Sequence, residues 1–493
     1  MKVLNKDLVL LLIGSASILA IFGLSNTLEI GLLQSGAIVL VFALLCVGMF
    51  VLFRPLVLEE ELMNSDSPRL FLGETIEKNP FKKGKPFYLY LHKLRHILVT
   101  GVTGAGKSTF IRRFIREVRR NFISFLYIDF KGEAEDHSEI IKICEMTGTK
   151  QVPQVFDISD PKNCLTCNLL TLFPSIEETV GFVIDLFFEK DANPYYKAEA
   201  ERFIRHSLEL LDEAKTTRSF IQLQQILYSS KQREALLRRA KLTAYKEAPF
   251  LNYFTEEFDK LDSRSRSERF SGLASLLSSF TSEPLARIFN AEQSQLRLTE
   301  IFNENQSLII RIPGEAYGEL SKRIVRAFIK TLPVLISRRR SQTDRKDYFI
   351  LMDEGCSYAS EVLTDLTKKA ASAQVKLLLT RMADADFLDI SPAFLGKMLS
   401  SIGTHFCFHT TDPDTRETLA RISMTTDDIK QTYRVKEGSQ TGEASEREVQ
   451  RFRNHPSEFG SLETGHCIVM DTRQNIFQKI KVYSPFIEEK KAA

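Results

Sequence analysis

A chain of 493 residues, 43% hydrophobic and 26% charged, carries enough apolar mass for a large core and for more than one domain. Its formal net charge of +3 is close to neutral, so any nucleic-acid surface must be local rather than global. Seven cysteines, an odd number without framework spacing, argue against a disulfide-stapled secreted domain and for a reduced, cytosolic bulk.

The first 54 residues differ in kind. "LVLLLIGSASILAIFGL" (8–24) and "GLLQSGAIVLVFALLCVGMFVLF" (31–53) are uncharged. The first is near the lower limit for crossing a bilayer and the second is comfortably long, given the roughly 20 apolar residues a spanning helix needs. Lys2 and Lys6 precede the pair, Arg54 follows it, and the connector carries Glu29 but no Lys or Arg. Positive charge at both outer ends predicts a transmembrane helical hairpin over 1–54 with both termini in the cytoplasm. A cleaved signal peptide followed by one span is the alternative; no small-residue cleavage site separates the two runs, which favours two spans.

Residues 55–95 end in "PFYLYLHKLRH", a short strand, and "HILVT" (96–100) is a compact apolar run closed by Gly101, as in a buried strand. From Thr109 the pattern turns helical, with Phe110, Phe114 and Val118 on one face and five arginines between 112 and 120 on the rest. "FISFLYIDFKGE" (122–133) reads as a second buried strand ending in a carboxylate, which fits a parallel α/β sheet. From 175 to 290 apolar residues recur at helical spacing and strand-like runs nearly vanish, predicting an inserted all-helical domain. Strands return with "SLIIRI" (307–312), "YFILMDE" (348–354), "KLLLT" (376–380), "THFCFHT" (404–410) and "CIVMDT" (467–472). The nucleotide-binding domain therefore takes residues 55–174 and 291–493. The polar, Gly- and Ser-containing stretch 436–450 predicts a mobile loop.

Gly101, Gly106, Lys107 and Ser108 match G-x-x-x-x-G-K-[ST] with a strand before and a helix after, the context in which this pattern binds a nucleotide. The cradle runs through Gly101, Thr103, Gly104, Ala105, Gly106, Lys107, Ser108 and Thr109. Its glycines let backbone N–H groups approach phosphates, Lys107 reaches the β- and γ-phosphates, and the Ser108 hydroxyl is placed for Mg²⁺. "YFILMDEG" supplies the second carboxylate source: Asp353 to hold Mg²⁺ through water and Glu354 to polarise the attacking water as general base. A Glu directly after the Asp points to a RecA-type ATPase rather than a kinase.

The paired spans, the P-loop, "DFKGE" (129–133), the helical insertion and the "DE" strand together resemble the TraD/TraG-type coupling proteins of type IV secretion and conjugation. Asp129, Lys131, Gly132 and Glu133 match the family's D-x-K-G-E stretch, "CNLL" (167–170) sits where an NPL-like segment is common, and "TGEASERE" is similar to its loop after the late strands. The resemblance implies a RecA-like core with an inserted helical domain that reads the substrate. It also implies a homo-hexamer in the bacterial inner membrane that uses ATP and Mg²⁺. Such a ring docks a DNA–relaxase substrate, gripping DNA largely without sequence preference, and drives it into the secretion channel.

Two positions depart from that pattern. Arg381 stands where the family's strand ends in a Gln sensor, and "LTKKAASAQV" offers only Lys368 and Lys369 where an Arg is presented to the neighbouring subunit. Arg381 is read either as the sensor or trans cation, its guanidinium stabilising transition-state charge, or as a surface ion pair with Asp384 or Asp386. The arginines of 112–120, Arg338 to Arg340, and "KQREALLRRAKLTAYK" are either phosphate contacts or solvated and interface charges. Cys164 and Cys167, a lone C-x-x-C, lack zinc-site spacing and read as packing, as do His405 and Cys407.

Three functional classes follow. The leading one is a coupling ATPase delivering DNA, with another DNA translocase of the same superfamily as its nearest rival. A segregation translocase more often carries further spans, a long linker and a C-terminal winged-helix module. The second class is a protein-only secretion ATPase, and the third a nucleotide-gated docking receptor with negligible turnover.

Overall fold

In the computed structural model an eleven-stranded sheet runs in the order β2-β1-β13-β12-β9-β3-β8-β7-β4-β6-β5. Residues 68–77, 83–132, 134–149, 151–188, 192–242, 248–354, 362–436 and 439–487 are described. The hairpin expected over 1–54 lies outside them; among the described residues no helix is long and apolar enough to cross a membrane. The early strands are β1 (Arg69–Thr75), β2 (Pro86–Tyr90), β3 (Ile97–Thr100), β4 (Ser124–Asp129) and β5 (Gln154–Asp157). After the helical segment come β6 (Leu308–Arg311), β7 (Tyr348–Asp353), β8 (Val375–Arg381) and β9 (Thr404–Cys407). The chain closes with β10 (Thr425–Lys436), β11 (Ser439–Phe452), β12 (His466–Asp471) and β13 (Ile476–Val482).

From β9 to β5 every neighbouring pair is parallel, whereas β12, β13, β1 and β2 add on antiparallel. Every residue of β3, β4 and β7 is buried, which is why these strands read as uninterrupted apolar runs. Parallel pairing also puts the C-terminal ends of β3, β4, β7 and β8 on one rim, where α/β folds hold their ligands.

One sheet face is covered by α1 (Lys107–Arg120), whose Phe110 stacks on Phe406 at 4.3 Å while Phe114 meets Phe349 edge-on at 5.1 Å. Beyond β4 follows α2 (Ala134–Met146). Between β5 and β6 the described chain is helical: α3 (Ile176–Phe187), α4 (Pro194–Glu213), α5 (Phe220–Tyr228), α6 (Ser230–Ala240) and α7 (Ser263–Thr281) are the main pieces. Ser175, Asn193, Ser219, Ser229 and Asp262 cap them, each side chain accepting a first-turn N–H that the helix leaves without a partner. This segment shares a core with the other face of the sheet. A row of rings runs from Phe156 of β5 through Phe289 (6.0 Å) and Phe280 (5.4 Å) to Phe220 (4.7 Å). Helix α8 (Glu319–Arg340) follows β6, with α9 (Val362–Ala370), α10 (Pro392–Ser401) and α11 (Pro413–Ile422) after it.

One expectation needs correction, and one open question is answered. Residues 439–450, expected in a mobile loop, lie in a strand: β10 and β11 pair antiparallel from Thr425↔Phe452 to Lys436↔Ser439 as a two-stranded sheet of their own. The sequence of this stretch lacks the apolar alternation of a core strand and so looks like a loop. The basic runs are, in the main, not open phosphate-binding faces. Buried Arg113 donates to Phe71 O (2.9 Å) and Ile487 O (2.6 Å) and pairs with Glu117. Arg119 reaches Ser307 Oγ, Thr149 Oγ1 and Gln151 O. Arg338 donates to Thr299 Oγ1 and Leu172 O, and Arg339, fully buried, to the carbonyls of Phe302, Lys346 and Ala373 and to Asn305 Oδ1. In the helical segment Arg233 does the same for Ile226 O and Asp259. A guanidinium has five donors and can satisfy several loop carbonyls at once, so these arginines tie elements together.

Candidate active site

The loop from Gly101 to Gly106 leaves the end of β3 and feeds α1. Its base is sewn to both neighbouring strands, Gly101 N donating to Arg381 O (3.1 Å) and Val102 N to His409 O (2.9 Å). A side chain at Gly101 would put its Cβ 2.7 Å from Phe408 Cβ, and Gly106 has φ +109 with Gly465 backbone 3.0 Å from where a Cβ would stand. These two positions therefore require glycine on steric grounds. Gly104 is open on its outer side, with φ +80. Ala105 O accepts from Gly465 N (3.0 Å), and exposed Thr103 donates its hydroxyl to Met382 Sδ (3.5 Å). Ser108 and Thr109 occupy the first turn of α1, half-buried.

Lys107 is buried, and its Nζ donates to Gly101 O (2.5 Å) and Val102 O (3.0 Å). Burial pulls its pKa below the ordinary lysine value, against the opposing charge of Asp353. An ammonium held this way, against two carbonyls inside the loop it serves, is preorganised for an anion at the helix N-terminus.

Asp353 ends β7, buried, with Oδ1 accepting from Thr380 Oγ1 (2.8 Å) and Glu354 N (3.1 Å). Strand register sets Asp129 directly beside it. Asp129 Oδ1 accepts from Lys131 N (3.0 Å) and Gly132 N (3.1 Å), so it folds the turn of the D-x-K-G-E stretch; Glu133 lies outside the described residues. Both Asp129 Oδ2 and Asp353 Oδ2 are buried without a hydrogen-bond partner among the described residues. Burial, with Asp353 nearby, pushes the Asp129 carboxyl up to about 6. Two orphaned carboxylate oxygens on adjacent strand ends are hard oxygen donors of the kind a divalent cation takes. Among the described residues no group of three or more His, Cys, Asp or Glu could hold a metal, so such a cation needs phosphate and water ligands as well.

Glu354 follows in the left-handed region at φ +52, its N–H donating to Thr380 Oγ1 (2.7 Å) and its carboxylate 3.1 Å from Lys131 Nζ. A glutamate in that backbone region is uncommon, and strain of this sort clusters at functional sites. Asp129 and Lys131 were flagged by the D-x-K-G-E stretch but without a role, and Thr380 as a partner of Asp353 was not legible beforehand.

Arg381 makes the ion pair with Asp384 that one sequence reading named, but buried rather than at the surface. Its side chain is fully buried under the loop, pairing with Asp384 at 2.6 Å in a charge contact rather than an aligned hydrogen bond. Its Nε donates to Thr100 Oγ1 (3.1 Å) and its guanidinium covers the Phe387 ring. Both side chains of the pair are enclosed. Asp386 instead accepts from Met382 N (2.7 Å). Lys368 and Lys369 are exposed at the end of α9. Cys164, Cys167 and Cys407 are free and buried.

A RecA-like parallel sheet with a phosphate loop at one strand end and an Asp–Glu pair on a nearby strand defines a P-loop ATPase. The HerA helicase central-domain family model matches residues 71–332, more than half of the chain, and the chain belongs to that family. No curated protein matches it. Among solved structures, the bacterial conjugative coupling protein TrwBdeltaN70 in unbound form superposes with TM-score 0.59 at 14% identity, covering 79% of this chain and 85% of that one. TrwB in complex with ADP and Mg²⁺ gives TM-score 0.57 at 13% identity over 85% of this chain and 94% of that one. VirB4 of Thermoanaerobacter pseudethanolicus gives 0.53 at 13% identity, over 85% and 97%. At these identities the likeness is one of fold.

Proposed function

We propose that this chain is a membrane-anchored coupling ATPase, a homo-hexamer of the bacterial inner membrane that recruits a DNA–relaxase substrate and uses ATP hydrolysis to deliver DNA to a type IV secretion channel. The observation that carries it is a P-loop whose buried Lys107 lies within reach of the charges of Asp353 and Glu354, in a HerA-family chain whose fold covers most of the TrwB chain solved with ADP and Mg²⁺. The N-terminal apolar pair supports the membrane anchor. In this reading Lys107 leaves the loop carbonyls for the β- and γ-phosphates of ATP. Ser108 and Asp353, with Asp129 beside it, hold Mg²⁺, which neutralises charge on the phosphates. Thr380 orients Asp353, Glu354 takes the proton of the attacking water, and Arg381 positions the base of the loop rather than touching phosphate.

The test is ATP hydrolysis by the full chain, with and without single- and double-stranded DNA, with assembly followed in parallel. DNA-stimulated turnover that falls by about 100-fold or more in Lys107→Ala supports the reading. Turnover indifferent to DNA in an assembled sample favours a protein-only secretion ATPase, and nucleotide binding without turnover favours a docking receptor.

A further inference from the structure

Because Asp129 and Asp353 are register partners, the residues after them leave the sheet side by side. Lys131 Nζ thereby comes to lie 3.1 Å from Glu354 Oε1. Both backbones are pinned. Asp129 holds the N–H groups of Lys131 and Gly132, Arg311 Nε donates to Gly132 O (2.9 Å), and Gly132 cannot carry a side chain because Pro313 Cα stands 2.5 Å from its would-be Cβ. Glu354 is fixed by its N–H to Thr380. The two side chains are both partly exposed, so only their tips are free to change partner. The pair also stands within electrostatic reach of the P-loop, since Asp353, Lys131, Glu354 and Asp386 are the charges that act on the Lys107 ammonium.

A carboxylate bound by an ammonium is oriented by it and is a weaker base than a free one. A γ-phosphate seated on Lys107 offers that ammonium more negative charge than one carboxylate does. Arg381, at the end of β8, is itself enclosed against Asp384. We infer that Lys131 is a partner-switching reporter of the γ-phosphate: it holds Glu354 when the terminal phosphate is missing and moves to that phosphate when ATP is seated, releasing Glu354 as base. In the step so licensed, one water proton passes to Glu354 and the water oxygen bonds to the γ-phosphorus. The bond from that phosphorus to the β,γ-bridging oxygen breaks, its electron pair leaving with ADP. The inference rests on the nucleotide reading above and adds to it how the base is kept idle.

The experiment is a double-mutant cycle in binding, not turnover. Full chain, Lys131→Met, Glu354→Gln and the double variant are titrated calorimetrically with a non-hydrolysable ATP analogue and with ADP, both with Mg²⁺. Lys131→Met is expected to weaken the analogue by about tenfold and leave ADP within about twofold, which also shows that the variant is folded. Glu354→Gln removes one carboxylate that competes for Lys131, so it should tighten the analogue by about threefold when Lys131 is present and leave it unchanged in the Lys131→Met background. Equal weakening of analogue and ADP by Lys131→Met, or the same Glu354→Gln gain in both backgrounds, overturns the switch while leaving the nucleotide site standing. An unaltered chain that binds neither nucleotide overturns both.

Discussion

Asp129→Asn should make the protein more stable while removing its ATPase activity. Asp129 is 2% exposed, lies beside Asp353, and has one oxygen with no partner among the described residues. Burial raises its pKa from 3.8 to about 6, Asp353 and Asp136 adding to the rise and the N–H groups of Gly132 and Lys131 opposing it. A carboxyl whose folded pKa is raised holds its proton more tightly folded than unfolded. Stability therefore falls as pH climbs from about 4 to about 6 and stays reduced above that. A difference of this size corresponds to about 3 kcal/mol. Asparagine keeps the acceptor for the two N–H groups, places a donor where the orphaned oxygen was, and has no proton to lose. The expected gain is about 3 kcal/mol at pH 8 and near zero at pH 4, or roughly 3 °C in the unfolding midpoint for a chain of more than 400 residues. Thermal unfolding by circular dichroism of both proteins at the two pH values, without nucleotide or Mg²⁺, measures it. Mg²⁺ must be left out because a cation favours the ionised carboxylate and would shrink the difference. A loss of stability at pH 8, or an equal gain at both pH values, would refute the reasoning.

Arg381→Ala leaves Asp384 charged and buried, which costs about 3–5 kcal/mol. Its unfolding midpoint should drop well below that of the unaltered chain, and a variant that unfolds normally yet fails to hydrolyse ATP would restore Arg381 to the role of sensor. Arg339→Ala strands three carbonyls and Asn305 Oδ1, so a loss of roughly 3 kcal/mol or more is expected. The folded fraction of that variant should show an unchanged salt dependence of DNA binding; a slope smaller by about one with intact stability would instead mark Arg339 as a phosphate contact.

Local patterns carried the nucleotide loop well. Strand, glycine loop and helix are contiguous, so "HILVTGVTGAGKSTF" holds nearly all the information its geometry needs. Asp353 and Glu354 were readable for the same reason, a buried strand ending in acid. Strands β1, β5 and β13 were not anticipated. β5 is four residues long with one fully buried, and β1 joins the sheet through β13 at Gly73↔Val482, far apart in the chain. The arginine runs were the most deceptive feature, because a guanidinium's destination is set by distant carbonyls that no local pattern announces.

The class of chemistry was thus determined by the sequence alone, since phosphate binding at a helix start depends on neighbouring residues. Which carboxylates stand together, what Lys131 touches, and that Arg381 faces inward were decided only by the tertiary structure. These follow from strand order and register. β4 lies beside β7 and β8 beside β3, and that adjacency brings Asp129 to Asp353 and Arg381 to Thr100 across separations of more than 200 residues.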